Sequence, residues 1–186
     1  MSLETWSWIE LAAVWIAWAY PYAFLAPHVQ KRESITVVVP TRIGLALEAA
    51  AVAMAMLPVA ATPRTGPVAL IAALIAGGTG AVLAWTAVDH LGKQFRFHAG
   101  LYVDHELVRT GPYGVVRHPI YASILALLVA TIILRTSWEM ACAALVVFVI
   151  GTEIRVKSEE KLLASRFGPA FFAYKEKVFA YVPFIR

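Results

Sequence analysis

From Val68 to Val88 the chain carries no charged side chain. A stretch of that length crosses a hydrocarbon core as one helix, for which roughly 20 apolar residues suffice. In lipid every backbone amide must be satisfied within the segment, so such a run has little choice but helix. Comparable blocks extend from about Leu3 to Ala26 and from about Ile43 to Ala61, followed by Ile120 to Leu134 and Trp138 to Ile154. Over 186 residues the chain is 60% hydrophobic and 15% charged, with a mean hydropathy of +0.70. A soluble domain lies nearer half apolar and a quarter charged. The predicted fold class is therefore all-α: a polytopic membrane protein with about five transmembrane helices.

Trp6, Trp8, Tyr20 and Tyr22 sit near the ends of the first block, as interfacial anchors do. Pro21 and Pro27 mark its exit. No basic residue precedes it and Glu4 and Glu10 lie within it, so it reads as a retained span rather than a signal peptide. Gly77, Gly78 and Gly80 supply small residues for close helix contact in the third block. Only Arg135, Thr136 and Ser137 separate the last two blocks, which predicts an antiparallel helical hairpin over 120–154. From Arg155 to Arg186 charges alternate with Leu162, Leu163, Phe167, Phe171 and Phe172, the pattern of an amphipathic interfacial helix. The chain thus divides into a three-span scaffold, 1–88, and a region of catalytic character, 89–186.

Basic residues set the expected orientation. Five spans place the 28–42 loop, the 89–118 loop and the C-terminal region on one side, with fourteen of the sixteen Lys and Arg residues. Only Arg64 and Arg135 fall on the other. The asymmetry predicts an external N-terminus and a cytoplasmic C-terminus. It also accounts for the net charge of +4 through lipid headgroups, with no need of nucleic acid. Cys142 is the single cysteine, which excludes an internal disulfide and a cysteine metal cluster. The scattered histidines have no carboxylate at ligand spacing, so no metal is expected.

Two cytoplasmic segments carry the chemistry. The 89–118 stretch is long for a connection and holds apolar anchors (Phe95, Phe97, Leu101, Leu107, Val108), which points to function rather than disorder. It closes in Gly111-Pro112-Tyr113 and Arg117-His118-Pro119-Ile120-Tyr121. Pro119 suits a first helical turn, and His118 then stands where backbone donors hold a carboxylate. The second segment is Arg155-Val156-Lys157-Ser158-Glu159-Glu160. Arg155 and Glu159 share a helical face in the weaker ion-pair order, leaving both for other partners. Adjacent carboxylates at a membrane surface suit a cationic ligand. Glu10 and Glu48 lie within spans, close enough to an end to reach water, and fall outside the expected site.

Gly111-x-Tyr113-x-x-x-Arg117-His118-Pro119-x-Tyr121, a hairpin, and then Arg155-x-x-x-Glu159-Glu160-x-x-Leu163-x-x-x-Phe167-Gly168 together resemble the isoprenylcysteine carboxyl methyltransferase family, from about Leu91 to the C-terminus. The resemblance implies a methyltransferase using S-adenosylmethionine in a cytoplasmic pocket, with a lipid or prenylated acceptor entering from the bilayer. By position it implies cofactor contacts at His105, Glu106, Leu107, Val108, Tyr113, His118, Pro119, Ile120, Tyr121 and Glu159, and an acceptor-facing Arg155. His98 falls where the family places another polar contact, usually an amide, and Phe171 where a tyrosine is common.

The residues themselves suit that chemistry. Glu159 and Glu160 can meet the donor's sulfonium and ammonium charges in a partly dry site. Methyl transfer chiefly needs alignment and exclusion of water. An acceptor carboxylate is already ionised and needs a cation to orient it, a task for Arg155 with Arg117 in reserve. An amine acceptor would instead need a base, for which Glu159 or Glu160 is the candidate. Phospholipid amines and thiols stay open as acceptors. An NADPH-dependent sterol-reductase-like enzyme and a non-catalytic lipid-binding protein are the alternatives of other classes.

Overall fold

The computed structural model describes residues 2–25, 34–36, 39–57, 66–96, 100–102 and 104–183. It is helical, apart from one short antiparallel pair of strands. In chain order the elements are α1 (Leu3–Phe24), β1 (Ser34–Thr36), α2 (Val39–Met56), α3 (Pro67–Leu91), β2 (Gly100–Tyr102), α4 (Pro119–Arg135), α5 (Trp138–Phe167) and α6 (Pro169–Lys177). Short 3-10 turns occupy Gly92–Gln94 and Gly111–Gly114. Ile35 pairs with Leu101 at the centre of the β1–β2 register.

Local chemistry sets the helix ends. The Ser2 hydroxyl accepts from the Thr5 amide at 3.1 Å, and Ser137 does the same for Met140 at 3.4 Å, each filling one orphan donor of a first turn. Pro67 and Pro119 stand in first turns, where a missing N–H costs nothing. Gly168, with φ +49°, ends α5 and turns the chain into α6. Pro21 does not mark an exit: α1 runs through it to Phe24.

α2, and α3 with its extension to Gln94, are each long and apolar enough to cross a membrane. α4 is a shorter apolar helix of 17 residues, about 25 Å long. The outward faces are apolar too: Ile16, Phe24, Val68, Ile75, Val82 and Trp138 are all more than 60% exposed. So much exposed apolar surface is unusual for a soluble monomer and suits a membrane protein.

α4 is the axis of the bundle. One of its faces joins α1 and α3 through Leu11, Val14, Ala73, Leu127, Ala130 and Leu134. The other joins α2 and α5 through Ala51, Ala55, Leu128, Ile132, Ala141 and Phe148. Small residues allow the closest approaches, as the glycine patch predicted. A Cβ on Gly77 would stand 2.9 Å from Val14, and one on Gly80 2.9 Å from the Ser123 carbonyl, whereas Gly78 faces open space. Polar bonds cross the same seams: the Trp15 and Trp18 indoles donate to Thr131 (3.3 Å) and Ser123 (3.0 Å), and the Thr136 hydroxyl donates to the Ala55 carbonyl (2.6 Å).

Two expectations change. The helices of the 120–154 hairpin share a short turn but splay apart, because α4 packs chiefly on α3 and α5 chiefly on α2. The C-terminal region is not one interfacial helix either. α5 continues to Phe167, α6 turns back, and the following residues run beside the loop before α4, with Val116 bridged to Phe179.

Candidate active site

The splay between α4 and α5 opens a cavity of about 590 Å³ at the end of the bundle where the 89–118 stretch lies. Its walls come from the ends of α1, α2 and α3, the loop through Val108, the start of α4 and the far half of α5. That volume is within the ordinary range for a small-molecule site.

A chain of alternating charge runs along one wall. Glu48 of α2 receives the Arg155 guanidinium at 2.5 Å and the Thr152 hydroxyl at 3.0 Å. The Arg155 guanidinium carbon lies 4.7 Å from the Tyr121 ring centre, a cation–π distance. The Tyr121 hydroxyl donates to Glu159. His118 Nδ1 is 3.3 Å from the other Glu159 oxygen, and its Nε2 is 3.5 Å from Glu160. Arg117 donates to Glu160 through Nε (3.0 Å) and Nη2 (2.8 Å), and Lys175 adds a contact of 2.5 Å. Removing one partner of so buried a pair typically costs about 3–5 kcal/mol, because the other charge is left unmatched.

These contacts tune the titrating groups. Burial alone would lower the His118 pKa, but the two carboxylates beside it outweigh that and raise it. Burial would raise Glu160, yet His118, Lys175 and Arg117 hold it well below the usual carboxylate range. His105 is lowered to about 4 by burial first and by the Arg96 and Arg166 charges after it. It is therefore neutral near pH 7.

The C-terminal return locks this wall in place. The backbone amides of Arg117 and His118 donate to the carbonyls of Phe179 (2.7 Å) and Ala180 (2.8 Å). Arg117 Nη1 reaches the carbonyls of Lys175 (3.2 Å) and Val178, and the Tyr174 hydroxyl donates to the Tyr113 carbonyl at 2.6 Å. Gly111, at φ +57°, passes so close to the His90 ring that a Cβ there would collide with it.

A family model described as isoprenylcysteine carboxyl methyltransferase (ICMT) matches residues 70–165, over half of the chain. The chain belongs to the isoprenylcysteine carboxyl methyltransferase family. No curated protein matches it. Family membership makes it a methyltransferase, and its apolar helices make it a membrane protein. The matched residues take in most of α3, the loop, α4 and most of α5, and so the first motif and the second as far as Leu163. α1, α2 and the C-terminal return lie outside them, yet supply Trp18, Tyr22, Glu48 and Lys175 to the site or its support.

Of the residues singled out in the sequence, His105, Glu106, Leu107, Val108, Tyr113, Arg117, His118, Ile120, Tyr121, Arg155 and Glu159 all line the cavity. Glu106 is exposed and pairs with Lys93 at 3.1 Å. Pro119 and Glu160 stand behind the lining, and His98 lies outside the described residues. Arg117 lines the cavity and donates to Glu160 and to backbone carbonyls. Of the apolar stripe, Leu162 and Leu163 line the cavity, Phe171 is buried and Phe172 is exposed. Tyr22, expected as an anchor, lines it as well. The sequence reasoning missed Glu48, which is 3% exposed and paired rather than reaching water. An ionisable residue inside an apolar run was the available signal.

Proposed function

We propose that the protein is an S-adenosylmethionine-dependent methyltransferase that esterifies the carboxylate of a lipidic acceptor such as an isoprenylcysteine. One observation carries this reading: one cavity is lined by the Glu159 carboxylate, the Arg155 guanidinium and the apolar loop residues Leu107 and Val108. The donor fits that arrangement. Glu159 is held by Tyr121 and His118 in position to receive an ammonium, while neutral His105, Tyr113 and the leucines of α5 suit an adenine ring.

Bound there, the donor supplies an electrophilic methyl on a sulfonium, and the chain has only to align the acceptor and exclude water. Arg155 orients the acceptor carboxylate through charge-assisted hydrogen bonds. Trp18, Tyr22 and Ile124 supply an apolar side of the cavity for a lipid tail. Among the lining carboxylates of the described residues, Glu159 is engaged by Tyr121 and His118 and Glu106 by Lys93. An acceptor that needs no general base is therefore favoured over an amine.

In the same reading α1 to α5 are five spans, with the cavity, the loop and the C-terminus cytoplasmic and the N-terminus outside. α1 at 22 residues and α5 at 30 are about 33 and 45 Å long, and the part of α5 beyond Ile154 stands clear of the hydrocarbon. The basic residues described above support this orientation.

Isothermal titration of the detergent-solubilised protein with S-adenosylhomocysteine, and separately with NADPH, tests the reading. Binding of the first alone is expected, and Glu159→Gln should weaken it about ten- to hundredfold, the loss of a hydrogen bond to a charged group. Binding of NADPH alone would replace methyl transfer with reduction.

A further inference from the structure

We propose that Glu48 is a positioning residue: it holds Arg155 by Nη1 so that the opposite, Nε–Nη2 edge of the guanidinium meets the acceptor carboxylate. The proposal rests on the carboxyl-methylation reading above. Glu48 does not line the cavity, so it cannot itself touch a substrate there. Its two oxygens are taken by Thr152 (3.0 Å) and Arg155 (2.5 Å), and its side chain is buried between α2 and α5.

The backbone prepares the contact one turn away on each helix. Gly44 precedes Glu48 by four residues, and Gly151 precedes Arg155 by four. A Cβ on Gly44 would lie 2.6 Å from the Gly151 carbonyl and 2.5 Å from Arg155 Cγ. The helices therefore touch backbone to backbone, and the Arg155 stem lies over Gly44. The guanidinium is then fixed on three sides: its stem by Gly44, one face by the Tyr121 ring at 4.7 Å, and Nη1 by Glu48.

What remains is the edge that matters. Arg155 Nε is buried and has no hydrogen-bond partner in the protein. Arginine grips a carboxylate with two parallel N–H groups from one edge. With one Nη1 N–H taken by Glu48, Nε and Nη2 together still offer a two-donor edge, on a residue that lines the cavity. Without Glu48 the guanidinium loses the contact that fixes Nη1, and a misplacement of about 1 Å can cost on the order of a hundredfold in rate.

The test uses the full-length protein in detergent, labelled donor and N-acetyl-S-farnesylcysteine as acceptor. Glu48→Ala should lower kcat/KM for the acceptor about a hundredfold while S-adenosylhomocysteine affinity stays within about threefold. Glu48→Gln keeps an oxygen for Nη1, so it should recover about tenfold of that loss, with the residue of the defect in acceptor KM. Placed on Arg155→Ala, the Glu48→Ala change should do nothing further, because it acts only through Arg155.

Glu48→Ala with unchanged acceptor kinetics, or with S-adenosylhomocysteine binding lost in parallel, would overturn the proposal; so would a further loss in the double variant. If only Glu48→Gln folds, an unchanged acceptor KM overturns it and a raised one supports it. Failure of the wild-type protein to bind S-adenosylhomocysteine, or to label the acceptor once bound, rejects the underlying reading instead, and is seen before any substitution is made.

Discussion

Arg135 and Arg155, near opposite ends of the bundle, each stack on an aromatic ring, and they differ in what surrounds them. Arg135 closes α4 at the end away from the cavity. It stacks 3.4 Å over the Trp8 ring and donates to the Ser7 hydroxyl at 2.7 Å. Arg155 stacks on Tyr121 and pairs with Glu48. The Nε of each lacks a partner. Burial, an aromatic neighbour and a spare donor are therefore not enough to make a site. Arg155 alone of the two opens onto the cavity, and a carboxylate and a glycine contact fix its direction.

The sharpest way to break that contrast is to remove each cation. Arg155→Lys keeps the charge but loses the fork, and methyl transfer should fall on the order of a hundredfold or more. Arg135→Met should leave turnover per folded molecule within about twofold and act on stability instead, within the roughly 0.5–3 kcal/mol usual for single changes. Labelled-methyl incorporation beside thermal denaturation in the same detergent distinguishes them; a catalytic loss in Arg135→Met would erase the difference between the two ends.

A finer probe uses two glycines in tight seams. Gly44→Ala pushes on Arg155 and should lower acceptor kcat/KM about tenfold. Gly80→Ala presses α3 on α4 at the Ser123 carbonyl and should cost about 1–3 kcal/mol of stability with acceptor KM unchanged. Equal effects on KM would mean that helix spacing, not Arg155, sets acceptor binding.

The smallest expected effect is one of pH. The raised pKa of His118 means that its charge supports Glu159 and Glu160 fully below the ordinary histidine value of about 6.5. That support is lost as pH rises through the raised value. Melting temperature should fall on the alkaline side by about 2–4 °C for each kcal/mol lost. His118→Asn should melt lower at pH 6 and show no such slope. A slope that persists in that variant would assign it to another group.

Much of this was legible in the chain. The uncharged run 68–88 announced α3, the Pro119 pattern announced the start of α4, and helical spacing put Arg155 and Glu159 on one face, which lines the cavity. Pairing between distant elements was not legible. Periodicity reports that 155–172 has an apolar face but not whether lipid or a cavity receives it, and Leu162 and Leu163 face the cavity. Nor does a short turn reveal that its helices separate, since that depends on α2 and α3 competing for their faces. Glu48 went unrecognised because its partner lies over a hundred residues away.

The C-terminal return adds a constraint in time. Residues 178–180 accept hydrogen bonds from Arg117 and from the His118 amide just ahead of α4. A ribosome releases those residues only after every helix of the bundle has been made. Until then the wall that carries His118 and Glu160 lacks its brace. The enzyme is thus assembled with its membrane part first and its chemistry last.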